Sequence, residues 1–185
     1  MNHIDLAYAK ERGIAVSNAS GGNDNAVAEM TFCKILDLAR HAIPANNKLK
    51  NEHRWNKYSW MGFELRGKTL GIVGFGKIGS RVGEIAQGFK MNVVVYDPLL
   101  TPASIRTKGA TSVSFNELLK CSDIISLHVP LNDETKNMIS FEQFDMMKES
   151  ALVLNMARGG VLDEDAALDA LGRIVVKNIS GYFEQ

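Results

Sequence analysis

Cysteine is almost missing from this chain. Cys33 and Cys121 are the two in 185 residues, isolated from each other and without metal-ligand spacing. That excludes a disulfide framework and a cysteine-based metal centre, and it fits buried thiols in a reducing compartment. Neither charge sign prevails, since Lys plus Arg and Asp plus Glu are 21 each. A basic footprint for nucleic acid or an anionic membrane is therefore absent. No run approaches the ~18 apolar residues of a membrane span. The opening MNHIDLAYAKERG lacks the basic-then-apolar pattern of a secretory leader. There is no internal repeat and no low-complexity tract. A cytoplasmic α/β protein is expected, one domain or one domain plus a fragment of another. A compact chain of this length buries about 70% of its unfolded surface and needs no staple.

What is present centres on Thr69 to Asp97, TLGIVGFGKIGSRVGEIAQGFKMNVVVYD. Leu70 to Val73 is a short apolar run of strand type, and Gly74-Phe75-Gly76-Lys77-Ile78-Gly79 follows without a spacer. Ile78, Val82, Ile85, Ala86 and Phe89 then recur at three or four, the spacing of one helix face. Asn92 to Tyr96 is a second β-branched strand that ends on Asp97. Strand, G-x-G-x-x-G, helix, strand and acid form the dinucleotide fingerprint. Gly74 permits the tight turn, Gly76 lets backbone N–H groups approach a pyrophosphate, and Gly79 lets helix and strand pack closely. The helix N-terminus offers N–H donors and a partial positive charge to phosphates. Asp97, 18 residues past Gly79, stands where a carboxylate accepts both hydroxyls of an adenosine ribose. NAD is thus the expected cofactor, because Pro98-Leu99-Leu100 offers no arginine for a 2′-phosphate.

The flanks are read in chain order. Residues 1–19 suggest a short helix around Ile4, Leu6, Ala7 and Ala9, stopped by Gly13, and a strand over Gly13 to Ser17. Two such elements cannot build a core alone, so they pack onto the rest or lack a missing neighbour. Gly21-Gly22-Asn23 is a breaker, and Asp24 or Asn25 can cap the next helix. Ala28, Phe32, Ile35, Ala39 and Ile43 form its stripe, Met30 and Leu38 lie off it, and Pro44 ends or kinks it. Trp55, Tyr58 and Trp60 read as a plug of a loop onto the core. Thr111 to Val113, Asp123 to His128 and Ala151 to Asn155 are further strands. Helices are expected near Phe115, at Phe141 to Met147 and from Asp163 through Leu171, the last with Ala167, Leu168 and Leu171 inward. Gly172 stops it, and Arg173 to Phe183 is the last strand region. Strands alternating with helices predict a Rossmann-type, doubly wound parallel sheet.

In such a sheet, ligands bind beyond the carboxyl ends of the strands. The nominated positions are Gly74 to Gly79, Asp97-Pro98, His128-Val129-Pro130 and Met156 to Gly160. Arg158 is the strong charge beyond the last buried strand, among small neighbours that leave it accessible. A guanidinium there can grip a planar carboxylate with two parallel hydrogen bonds. His128 is a candidate proton carrier for hydride chemistry, but its place before Val129-Pro130 more naturally makes it a wall of the nucleotide pocket.

Several stretches then resemble one family in correct order over almost the whole chain. TLGIVGFGKIG, VVVYDP, LHVPLNDETKNMI and LVLNMARGGVLDEDAALDAL resemble the D-isomer-specific 2-hydroxyacid dehydrogenases. AVAEMTFCKILDLAR running into FELRGKTLGIVGFG is similar too, with phosphoglycerate dehydrogenase-like members nearest. The resemblance implies oxidation of a D-2-hydroxyacid to a 2-oxoacid with NAD, or the reverse, with 3-phosphoglycerate one candidate substrate. It implies that Arg158 orients the substrate carboxylate, that Val129-Pro130 lies by the adenine, and that Thr135 lies near the cofactor phosphates or ribose. Met156-Ala157 would approach the nicotinamide, and the long helix from Asn25 would join a homodimer.

Family members pair their arginine with a glutamate and a histidine further along. In this register the glutamate would follow Gln185, and Gly181 stands where the family has an aspartate. The resemblance therefore implies residues 1–19 as a remnant of the substrate domain and 20–185 as the NAD-binding domain, C-terminally incomplete, a cofactor half with one catalytic residue of three and inactive alone. The rival is a non-catalytic module that senses NAD or dimerises, as related corepressors do.

Overall fold

The computed structural model describes residues 4–17, 21–53 and 57–173. Its strands are β1 (Thr69–Val73), β2 (Asn92–Tyr96), β3 (Thr111–Ser112), β4 (Ile124–Leu127) and β5 (Leu152–Asn155). Its α-helices are α1 (Leu6–Glu11), α2 (Asp24–Arg40), α3 (Ala42–Glu52), α4 (Lys77–Gly88), α5 (Pro102–Arg106), α6 (Phe115–Cys121), α7 (Phe141–Met146) and α8 (Glu164–Arg173). The strands pair in parallel in the order β3-β2-β1-β4-β5. The chain winds outward from β1 through β2 to β3, then returns to β1's other side for β4 and β5. The order reverses between β1 and β4, which makes the sheet doubly wound.

Helices cover both faces, so the central strands are short apolar runs rather than alternating ones. Leu70, Ile72, Val82 and Phe75 pack on one side with Phe32 and Ile35 of α2. Val73, Ile125, Leu127 and Val153 pack on the other with Leu118, Phe144 and Ala167. Stacking of Phe32 on Phe89, centroids 5.2 Å apart, ties α2 to the end of α4. Each fully buried Leu, Ile or Phe contributes roughly 1.5–3 kcal/mol relative to exposure. At the amino-terminal end of the central strands, Asp123 Oδ2 accepts the Thr69 amide at 2.8 Å and Oδ1 accepts Lys148 Nζ at 2.9 Å. Burial by itself would raise the Asp123 carboxyl, but that amide and Lys148 outweigh it and hold the group below the usual carboxylate range.

Several local expectations are corrected. Residues 14–17 form no strand, and Ile4, Leu6, Tyr8 and Ile14 are exposed. The cap position of α2 is Asn23, without a side-chain cap bond, while Asp24 sits in the first turn facing the positive helix end. This helix stops at His41, which adopts φ 54, and not at Pro44. Pro44 instead lies in the first turn of α3, where its missing N–H has no carbonyl to leave unpaired. Ile43 consequently leaves the stripe and is exposed, Met30 is exposed, and Leu38 packs on the core. The aromatic plug does not form as expected. Tyr58 is 72% exposed, Trp60 leans on His41, and Trp55 lies outside the described residues. Helix α8 runs past Gly172 and buries Ala166, Ala167 and Ala170, leaving Leu168 67% exposed. The strand expected up to Phe183 falls, beyond Arg173, outside the described residues.

Candidate functional site

Both central strands end at the switch point. Gly74 leaves β1 at φ 88, and its amide donates to the Tyr96 carbonyl at 2.9 Å. A Cβ on Gly74 would stand 2.9 Å from both the His128 carbonyl oxygen and Val129 Cγ1. A Cβ on Gly79 would stand 2.1 Å from the Gly74 carbonyl oxygen. These two glycines are required by the fold. Gly76 differs: a Cβ there meets nothing within 4 Å. It begins α4 without any side-chain cap, so the helix end faces open space with its positive dipole. This cradle has room for an anion that a β-carbon would narrow.

Asp97 follows β2. Its Oδ2 accepts the Phe75 amide at 2.7 Å and its Oδ1 accepts the Leu99 amide at 2.9 Å. The Phe75 side chain is core, so this residue reaches the site through its backbone alone. Pro98 is exposed beside the acid. Lys77 is exposed, and its side chain turns to a separate opening on the outer face of α4, about 810 Å³, shared with Arg81, Glu84, Lys108 and Asp24.

Beyond β4, His128 is half-buried, its Nε2 lies 2.8 Å from the Oγ of fully buried Ser126, and Nδ1 is sealed from solvent without a partner. Burial holds the imidazole down to about 4, so it is neutral near pH 7. The next loop is braced internally. Asn132 Oδ1 accepts the Glu134 and Thr135 amides, and Thr135 Oγ1 donates to the Pro130 carbonyl at 2.5 Å. Thr135 thus fastens the Val129-Pro130 turn from behind.

A cleft of about 310 Å³ joins these loops. Ile78, His128, Val129, Pro130, Leu131, Met156, Ala157 and Arg158 line it. Seven of these were nominated in the sequence. Leu131 was not, and its one signal is an apolar residue following Pro130 at the same strand end. On the other side of Met156-Ala157 lies a second, more apolar cleft of about 380 Å³, bounded by Asn23, Ala26, Val27, Met30 and Asn155. The Met156-Ala157 segment is therefore the partition between two openings. Arg158 is exposed, and its Nη1 folds back onto the Ala157 carbonyl at 2.9 Å. Gly76, Asp97 and Thr135 flank this arrangement without lining the 310 Å³ cleft.

A doubly wound sheet with an open glycine cradle and an acid after β2 has the architecture of a dinucleotide-binding domain, with an arginine exposed after β5. Residues 32–180 match the family described as D-isomer specific 2-hydroxyacid dehydrogenase, NAD binding domain, and the chain belongs to that family. It is 43% identical over 171 residues to D-3-phosphoglycerate dehydrogenase of Bacillus subtilis, covering 92% of this chain and 32% of that protein. With glyoxylate reductase of Thermococcus litoralis it shares 40% identity over 176 residues, 92% of this chain and 53% of the relative. Among solved structures, D-lactate dehydrogenase from Aquifex aeolicus complexed with NAD and lactic acid superposes with TM-score 0.83 at 38% identity, covering 94% and 52% of the two chains. Apo D-lactate dehydrogenase from Escherichia coli gives TM-score 0.88 at 32% identity over 97% and 56%. The chain thus spans about a third to a half of the length of these relatives.

Proposed function

We propose that this chain holds NAD along the Gly74–Gly79 turn and the 310 Å³ cleft, and serves the interconversion of a D-2-hydroxyacid and its 2-oxoacid. The observation that carries the reading is the meeting, at one switch point, of an anion cradle open at Gly76 and an exposed arginine on the wall of the adjoining cleft. The bound cofactor supplies the hydride acceptor or donor. The chain's residues bind and orient. Backbone N–H groups at Gly76 to Ile78 receive the pyrophosphate, and Asp97 receives the adenosine ribose through lone pairs not used by Phe75 and Leu99. Pro98, Val129 and Pro130 wall the adenine side, His128 backs that wall, and Met156-Ala157 lies by the nicotinamide. Arg158 swings off the Ala157 carbonyl to grip the substrate carboxylate with two hydrogen bonds. Thr135 acts from behind, by holding Pro130.

The substrate class follows the relatives, whose names span phosphoglycerate, glyoxylate and lactate. A homodimer through the face of α2 where Met30 and Cys33 are exposed completes the proposal, with a cytoplasmic setting for the free thiols of Cys33 and Cys121, which are exposed and half-buried and not the buried thiols expected. Calorimetric titration of the chain with NAD tests the core of it. Saturable binding at one site, abolished by Gly76→Val, is expected; binding that survives this substitution unchanged would place the cofactor elsewhere.

A further inference from the structure

We infer that Asn155 is a positioning residue for Arg158, acting through the backbone that roots it. Asn155 is the last residue of β5 and is buried, paired in register with Leu127 of β4. Its side-chain amide makes two bonds on the same short loop. Oδ1 accepts the Ala157 N–H at 3.1 Å, and Nδ2 donates to the Arg158 carbonyl at 2.8 Å. The first closes an Asx turn over Met156. The second reaches one residue further, and that is the informative one.

The two bonded groups lie on either side of the arginine's Cα. One belongs to the peptide plane before Ala157, the other to the plane after Arg158. A rigid planar amide gripping both leaves little freedom to the dihedrals between, and so fixes the direction of the Arg158 Cα–Cβ bond. Sheet pairing fixes the amide in turn, since the Met156 amide donates to the Leu127 carbonyl at 3.3 Å. The guanidinium remains free to leave the Ala157 carbonyl for a ligand, but its root does not move. A bidentate contact needs that, because a root displaced by about 1 Å misaligns both hydrogen bonds at once. The position also serves no core purpose that leucine would not serve better: a polar group in an otherwise apolar strand, LVLN, costs stability unless its partners repay it.

This rests on the reading of Arg158 as carboxylate anchor, so both are tested together. Asn155→Asp keeps the acceptor for the Ala157 amide and removes the donor to the Arg158 carbonyl, whereas Asn155→Ala removes both. On the full-length protein, steady-state kinetics with glyoxylate and hydroxypyruvate are compared with the NADH dissociation constant. The expectation is a KM raised about tenfold in both variants, the worth of one well-placed hydrogen bond, with NADH affinity within about twofold. Because Asn155 acts through Arg158, the Asn155→Asp/Arg158→Lys double variant should be no worse than Arg158→Lys alone. Additive losses in kcat/KM overturn the inference. So does an Asn155→Asp protein that behaves as wild type, which would leave only the Asx turn, or one in which NADH affinity falls in step with KM. Should Asn155→Asp fail to fold, the same comparisons run on Asn155→Ala. If Arg158→Lys itself leaves KM unchanged, the anchor reading fails whatever Asn155 does.

Discussion

The Phe75 amide donates to Asp97 Oδ2 at 2.7 Å, joining the middle of the glycine turn to the acid that closes β2. The acid therefore has two tasks that a sequence pattern cannot separate. It presents negative charge beside the cradle, and it holds the turn in the shape that makes the cradle. Its other oxygen takes the Leu99 amide, which orients the exposed segment Pro98-Leu99 beside the acid proposed to receive the adenosine ribose.

NAD is accordingly predicted to bind at least tenfold more tightly than NADP, since a 2′-phosphate at contact with a carboxylate costs several kcal/mol in a partly dry site. Asp97→Ala should narrow the gap mainly by weakening NAD, and should also destabilise the fold by about 1–2 kcal/mol through two orphaned amides. Asp97→Asn separates the tasks. It should narrow the gap as much as Ala while retaining more stability, because one amide keeps its acceptor. Calorimetry with both cofactors and urea unfolding decide it; equal affinities for NAD and NADP in the wild type would sink the ribose assignment.

The glycines should divide by what surrounds them. Gly76→Val is expected to abolish NAD binding with circular dichroism and melting temperature nearly unchanged, because its side chain meets only the space a pyrophosphate needs. Gly79→Ala should instead lose several kcal/mol of stability, since its methyl stands 2.1 Å from the Gly74 carbonyl oxygen. If Gly76→Val unfolds the chain while Gly79→Ala is silent, the division is wrong.

That division was legible in the sequence, because G-x-G-x-x-G gives each glycine a separate reason and the flanking runs set strand and helix by period. The parallel, doubly wound sheet followed from strands alternating with helices, and seven lining residues followed from where ligands sit in such a sheet. The misses have local causes. Nothing in the letters near His41 announces a left-handed residue, so the α2 stripe was carried on to Ile43. Alanines buried α8 because they allow close helix approach, and Leu168 was displaced to solvent. Asn155 was hidden by reading LVLN as strand and stopping there. A polar residue ending an apolar run carries a question about its partners, and only coordinates show that both lie on one loop. The side-chain direction of Lys77 is likewise a matter of packing, invisible to a motif defined by backbone.

The Asp123–Lys148 pair should matter modestly and in a defined acid range. Lys148→Met is expected to cost about 1 kcal/mol or less, as both partners are partly exposed. Asp123→Ala should cost more, about 1–3 kcal/mol, by also orphaning the Thr69 amide at the start of β1. Since the folded carboxyl is held below its unfolded value, its contribution is present above pH 3.8 and fades as pH falls through the lower folded value. Urea unfolding of Lys148→Met and Asp123→Ala at neutral pH checks the order; a costlier lysine change would reverse the assignment of the main bond.

His128 governs a different and higher range. Its imidazole is held at about 4 by burial, against 6.5 when unfolded. Between those values the unfolded chain binds a proton that the folded chain refuses, so stability rises with pH there. The contribution is intact above pH 6.5 and declines as pH falls toward 4, by at most about 3 kcal/mol at 1.36 kcal/mol per pH unit. Nδ1, without a partner, has no acceptor to offer a second proton, which is why the Ser126 bond at Nε2 does not rescue the charged form. His128→Gln keeps a group able to bond Ser126 and removes the titration. The loss of unfolding free energy between pH 7.5 and pH 4.5 should therefore be about 2 kcal/mol smaller in His128→Gln than in the wild type, while Asp123, titrating lower, affects both alike. Equal losses in the two proteins would mean that His128 takes up its proton in the folded state as readily as in water, and a neutral wall behind Val129-Pro130 could not be maintained. The same experiment bears on chemistry: a histidine that stays neutral to about pH 4 is a poor acid at pH 7, and its sealed Nδ1 gives a substrate proton no route in.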